Sequence, residues 1–185
     1  MGRQSAGRRP VWRGGCPFRG DTLLVGAQFR NASRGAVYVY ARQAKVWQIA
    51  ATLIAADGEP DDRSGYALEI DGSRAVVGAY GHGFGAAWIF DRVAASGQHS
   101  QRIEPANAQL GDRSGLAVAD QGERVVVGAP GTRAIDFEEQ GAAIVFERGP
   151  GGWIQTAELS AFDARWNDLF GWSLSLDADT ERFAR

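Results

Sequence analysis

Three segments of this chain can be laid over one another, and that alignment constrains the fold more than any other feature of the sequence. They are GDTLLVGAQ from Gly20, GSRAVVGAY from Gly72 and GERVVVGAP from Gly122, with central glycines Gly26, Gly78 and Gly128 spaced 52 and 50 residues apart. A second set, GAVYVY from Gly35, GAAWIF from Gly85 and GAAIVF from Gly141, is spaced 50 and 56. A third set, DDRSG, GDRSG and NDLFG, ends at Gly65, Gly115 and Gly171 with the same spacings of 50 and 56. Three anchors in one register define a repeat with a period near 50 residues. A unit of that size cannot bury both of its faces alone, so neighbouring units must stack and share a core.

Each unit reads as β-structure. After the D-x-x-G anchor comes a short strand, Tyr66 to Ile70 or Leu116 to Ala119. A tight turn follows at Asp71-Gly72 or Gln121-Gly122, where glycine accepts the positive φ of a two-residue hairpin. The next strand, RAVVGA or RVVVGA, is an unbroken apolar run, as expected when both faces are buried. A variable loop leads to a third strand, AVYVY, AAWIF or AAIVF, and a further turn to a fourth, VWQIAATLIA or GWIQTAELSA. The middle copy carries Gly97 where the others carry Trp47 and Trp153, which makes its outer strand the weakest. Four short strands with a tight Gly-Ala pair in the second are the pattern of a propeller blade. The expected fold is all-β: propeller blades of four antiparallel strands, in an incomplete array of about three blades.

Charge and composition remove several classes of function. The formal net charge of -2 gives no global field for nucleic acid or an anionic membrane. Five arginines (Arg3, Arg8, Arg9, Arg13 and Arg19) precede the first acid, Asp21, so the remainder is acidic. The start, MGRQSAGRRPVWRGG, lacks apolar periodicity, and residues 1–18 are expected to form a disordered basic tail. No apolar run suits a signal sequence or a membrane span, and Cys16, the only cysteine, cannot form an internal disulfide. Arg19-Gly20-Asp21 spells a familiar adhesion tripeptide. Gly20 shares the register of Gly72 and Gly122, however, and turn chemistry alone accounts for it as a hairpin bend.

These anchors resemble the FG-GAP repeat. Phe170-Gly171 supplies the first pair, and Gly128-Ala129-Pro130 the second, with three valines before it. Ser64-Gly65 and Ser114-Gly115 keep only the glycine of the first pair, while Gly78-Ala79-Tyr80 and Gly26-Ala27-Gln28 keep only Gly-Ala of the second. The resemblance covers Arg19 to Arg185 and divides into a partial blade (19–56), two blades (57–106 and 107–162) and a second partial blade (163–185). It implies a β-propeller, usually of seven blades, as in integrin α subunits and bacterial surface or secreted proteins, with roles in adhesion and ligand binding. Integrin-type copies carry a calcium loop between their first two strands. Here that place holds only DGSR, DQGER and DADTER, too few oxygens for calcium, so no cofactor or metal site is carried over. Asp57, Asp61 and Asp62, or Asp163 and Asp168, precede the D-x-x-G anchors, and the simpler reading is that they bond their own turn amides. The ends look complementary, since Gly171 to Leu176 could supply the strand that the first unit lacks. Closure then calls for the remaining blades of a longer propeller or for a second copy.

Candidate binding residues follow from the loops. The third copy's loop between its second and third strands, Gly131 to Gln140, gains six residues and places Asp136, Glu138 and Glu139 beside Phe137. Insertions in repeat proteins fall on one face, often the binding face. Trp166, in the polar stretch DARWND, is the best candidate for stacking on a sugar, whereas Trp47, Trp88, Trp153 and Trp172 are expected mostly in packing. GHGFG, Gly81 to Gly85, joins two strands and opens no helix, so it is not a phosphate cradle, and His82 and His99 are read as surface histidines. Neither G-x-S-x-G nor H-E-x-x-H occurs. The expected function is a non-catalytic binding or interaction module of a secreted or cell-surface protein, taking a protein or glycan ligand. The alternatives are a lectin-type propeller and a propeller appended to a hydrolase.

Overall fold

The computed structural model describes residues 22–93, 97–133 and 139–177. Residues 1–18 and the Arg19-Gly20-Asp21 bend lie outside the described residues. The rest forms three antiparallel sheets in a row. The first contains β1 (Thr22–Gly26), β2 (Val37–Gln43) and β3 (Val46–Leu53). The second contains β4 (Leu68–Asp71), β5 (Arg74–Ala79), β6 (Ala86–Val93) and β7 (Gly97–Ile103). The third contains β8 (Ala117–Gln121), β9 (Arg124–Ala129), β10 (Ala142–Gly149) and β11 (Gly152–Leu159). Strands follow one another in sheet order, so each unit is a meander. The all-β fold and the incomplete blade array expected from the repeats are what the chain adopts.

The hairpins obey their turn residues. Asp71 pairs with Arg74 and Gln121 with Arg124, leaving two-residue turns whose first positions, Gly72 and Gly122, have φ of +57° and +60°. A positive φ at that position matches the right-handed twist of the flanking strands and favours glycine. The leading strands start and end later than the sequence suggested, because pairing with β5 and β9 extends to the turn itself. The outer strand of the middle copy forms despite Gly97, paired with β6 from Gly97 to Ile103. Residues 174–177, in contrast, form no strand, although Gly171 to Leu176 was expected to provide one. The reason is that among the described residues no partner strand lies beside them: they lie on the outer side of the third sheet, held by Leu174 and Leu176.

The sheets are held together by an alternation of faces. Ala75, Val77, Trp88 and Phe90 of the second sheet pack against Val37, Val39 and Leu53 of the first. On the opposite face, Val76, Ala87, Ile89 and Ile103 pack against Val125, Val127, Ile144 and Phe146 of the third. Every residue of β5 is buried, as the unbroken apolar run required. Gly78 and Gly128 sit where a Cβ would strike the carbonyl oxygens of Gly115 and Gly171, the last residues of the following D-x-x-G anchors. The two glycine motifs therefore pair with each other across adjacent units. An ionic clamp spans the second and third sheets. Arg74 donates from Nε and Nη2 to the Asp120 carboxylate at 2.5–3.1 Å and from Nη2 to the Gly122 carbonyl. Its guanidinium also lies 4.8 Å from the centre of the Trp153 ring.

Candidate functional site

The meander puts two kinds of connection at the same end of every sheet. One is the loop between second and third strands, and the other is the linker that leaves the fourth strand and carries the D-x-x-G anchor. The hairpins lie at the opposite end. Backbone hydrogen bonds weave the loops together. Asp61, Arg63 and Ser64 donate to Ala32, Ser33 and Arg34 of the preceding unit, and Gly81 and Gly131 donate to Asp62 and Asp112. At the third sheet, Leu169 donates to Glu139 (3.2 Å) and Phe170 to Gln140 (2.8 Å). Short parallel bridges repeat the same seam at Gly35 and Ser64, Gly85 and Ser114, and Gly141 and Phe170.

Each linker is closed by the aspartate of its anchor. Asp62 accepts from the Glu59 amide (2.6 Å), Asp112 from Gln109 (2.6 Å) and Asp168 from Arg165 (2.7 Å). For Asp62 and Asp168 this is the turn-bonding role that the sequence favoured, whereas Asp57, read the same way, accepts from the side chains of Trp88 and Arg102 instead. The woven loops also hold unusual backbone. Asn31, Ala32 and Ser33 have φ of +53° to +61°, so the short turn Arg30–Ser33 is wound left-handed. Asp61, Arg63, Arg113, Glu139, Asn167 and Leu169 also have positive φ. Among the described residues, only Ala44 and Lys45 share this non-glycine geometry at the other end. Such strain persists only where surroundings over-determine it, and it is concentrated at this one end.

Of the predicted binding residues, Asp136, Phe137 and Glu138 lie outside the described residues. Glu139 and Trp166 fall on neighbouring loops, joined through the bond from Leu169 to Glu139. The Glu139 carboxylate lies 3.6 Å from Arg113 Nη2. Trp166 is 67% exposed. The sequence missed other apolar side chains at the same end: Phe29, Phe84, Leu110 and Phe162 all project into solvent from these loops. Their position in turn-rich, otherwise polar connections was the available signal. The expectation that most other tryptophans are packed holds for Trp88 and Trp153 but fails for Trp47 and Trp172, which are exposed; among the described residues no sheet covers the face of β3 on which Trp47 stands.

His82 also departs from expectation. It is largely buried at this end of the second sheet, not a surface residue, because four charged neighbours close round it. Nδ1 lies 2.9 Å from Asp62 Oδ2, without the alignment of a hydrogen bond, and Nε2 lies 3.7 Å from Glu104 and 3.3 Å from Arg102. The ring stands edge-on to Trp88. Trp88 Nε1 and Arg102 Nη1 both donate to Asp57, at 3.0 and 2.5 Å. Burial alone would raise the Asp57 pKa, but the Trp88 indole, a backbone amide, Arg102 and His82 together hold it below the usual carboxylate range. In the third unit the anchor acid Asp112 is pushed upward instead, because burial outweighs the Gln109 amide and Arg133. The His82 cluster therefore fastens the linker to the outer strands of one unit only. Thr132 stands at the register of His82 in the third unit, and Glu158 at that of Arg102.

A row of three- and four-stranded antiparallel meanders, stacked face to face with loops gathered at one end, is the pattern of an incomplete propeller-type array. Residues 47–90 match the family model of the FG-GAP repeat. That match covers one repeat, and the units on either side of it carry the same glycine seam. No curated protein matches the chain. No helix among the described residues is long and apolar enough to cross a membrane.

Proposed function

We propose that the chain is a non-catalytic interaction module whose woven loop end binds a protein ligand, in a protein that works at the cell surface or outside the cell. One observation carries this reading: apolar side chains, Phe29, Phe84, Leu110, Phe162 and Trp166, stand exposed on loops cross-tied by backbone hydrogen bonds. Large side chains on a pre-ordered scaffold lose little entropy on binding, and aromatic ones tend to dominate interfaces. Arg113 and Glu139 add a polar pair on loops tied to that of Trp166 through the Leu169–Glu139 hydrogen bond. The location outside the cell rests on the family resemblance.

A carbohydrate ligand is the second reading, favoured by Trp166 alone. An indole face open to solvent in a polar loop is suited to stacking on a sugar ring. Selecting displayed peptides on the immobilised chain tests the first reading, and a glycan array tests the second. Peptide binding is expected to fall at least tenfold in Trp166→Ala together with Phe84→Ser, while circular dichroism stays unchanged. Selected peptides that bind the double variant as well as the parent would overturn the loop-end assignment. Array binding abolished by Trp166→Ala would move the conclusion to a lectin.

A further inference from the structure

We propose that the flanks of the row join head to tail with a second copy of this chain, the segment 172–177 of one copy completing the first sheet of the next. The argument starts from strand count. The second and third sheets have four strands, and the first has three among the described residues. The strand not found there among the described residues is the equivalent of β4 and β8, so among those residues the outer edge of β1 has no partner strand. Free edges of this kind are templates for an added strand.

The segment that fits is already in place on the opposite flank. Gly171 follows the third D-x-x-G anchor just as Gly65 and Gly115 end the earlier ones. Phe170 makes the same parallel bridge to Gly141 that Ser64 and Ser114 make to Gly35 and Gly85. Leu174 stands at the register of Leu68. It packs with Leu176 on Ala119, Val126, Ala143 and Val145, as Leu68 packs on the first sheet. Exposure alternates from Ser173 to Asp177, the period of a half-covered strand. In the second sheet Leu68 pairs with Val77, Glu69 with Val76 and Ile70 with Ala75. Transposed to the joint, Leu174 pairs with Val25, Ser175 with Leu24 and Leu176 with Leu23 of the second copy.

The faces agree with the edges. Ala75, Val77, Trp88 and Phe90 form the face that the second sheet turns to the first. Their counterparts on the first sheet are Leu23, Val25, Tyr38 and Tyr40, and Leu23 and Val25 are exposed there. The opposite flank offers Val126, Ala143, Val145 and the exposed Leu159, counterparts of Val76, Ala87, Ile89 and Ile103. Within one copy these flanks lie on either side of the second sheet, so the joint is between copies. It is heterologous and propagates until a ring closes.

Sedimentation velocity over a concentration series reads the outcome. The parent chain is expected to form concentration-dependent species larger than a monomer. Val25→Arg blocks one flank and Leu174→Asp the other. Each variant alone should sediment as a monomer, and a mixture should give a 1:1 pair, because each retains the flank that the other lost. A parent chain that stays monomeric throughout would overturn the proposal. So would a Val25→Arg chain that self-associates as the parent does. If either variant fails to fold, a Cys16→Ser chain bearing Leu24→Cys and Ser175→Cys serves instead. Oxidation should then give a ladder of covalent multimers, and a purely monomeric product would count against the joint. Ligand binding at the loop end should survive Val25→Arg, so failure here and failure of the proposed function are separable.

Discussion

The strands β1 and β5 hold the same register of the repeat and share its Val-Gly-Ala ending, yet only one is buried. Val77 is 0% exposed and its counterpart Val25 is 40% exposed. Their following glycines, in contrast, are equally hemmed in: a Cβ on Gly26 would strike the Gly65 carbonyl, just as one on Gly78 would strike that of Gly115. The difference teaches that the stack has a direction. Each glycine packs against the unit after it, which all three copies possess. Each Val77-type face packs against the unit before it, which the first copy lacks among the described residues. Burial of the valine is therefore a property of the neighbour, and close packing of the glycine is a property of the motif.

The largest test of this contrast falls on the glycines. Gly78→Ala and Gly26→Ala should each destabilise their unit by about 4 kcal/mol or more, since the obstacle is backbone that cannot swing aside. Urea denaturation checks it, and a mild Gly26→Ala would break the symmetry of the seam. Next come the arginines that open β5 and β9. Arg74→Ala leaves Asp120 buried and unpaired and should cost about 3 kcal/mol, whereas Arg124→Ala, which frees an exposed Glu147, should cost less than about 1 kcal/mol. Arg74→Met combined with Asp120→Leu should recover much of the loss, because no bare charge then remains.

The valines should differ by a smaller margin. Val77→Ala is expected to cost about 2 kcal/mol, and Val25→Ala less than about 0.5 kcal/mol in the monomeric chain. Equal costs in dilute solution would show that something already covers β1. The smallest effect concerns pH. The folded pKa of Asp57 is depressed, so its contribution is present above the ordinary carboxyl range and is lost as pH falls through the folded value. Asp57→Asn should therefore lessen the drop in stability between pH 6 and pH 2, measured by chemical denaturation.

The glycine seam was legible because it is local and periodic. A residue that must be glycine at one position in every unit reveals both the period and the hairpins. Asp62 and Asp168 were readable as turn acids for the same reason, since each bonds an amide three residues away. The His82 cluster was not, because it joins Asp57, Asp62, Arg102 and Glu104 from distant segments and has no counterpart in the third unit. Arg74 and Asp120 are 46 residues apart, and Arg124 in the same register finds a different partner. The exposed Trp47 and Trp172 were misjudged because an indole looks the same in sequence whether or not a neighbouring sheet arrives to cover it. Asp136, Phe137 and Glu138 lie outside the described residues, and of the candidate loop residues only Glu139 and Trp166 could be placed.

The order of residues settled what each unit of about 50 residues would be. Turn glycines, alternating apolar positions and backbone propensities act over a few residues and need no knowledge of the rest. Tertiary structure alone decided which faces became dry, which charges met and which flank stayed open. Those outcomes depend on surfaces brought together from far along the chain, and desolvation acts only where a second surface is present to displace the water.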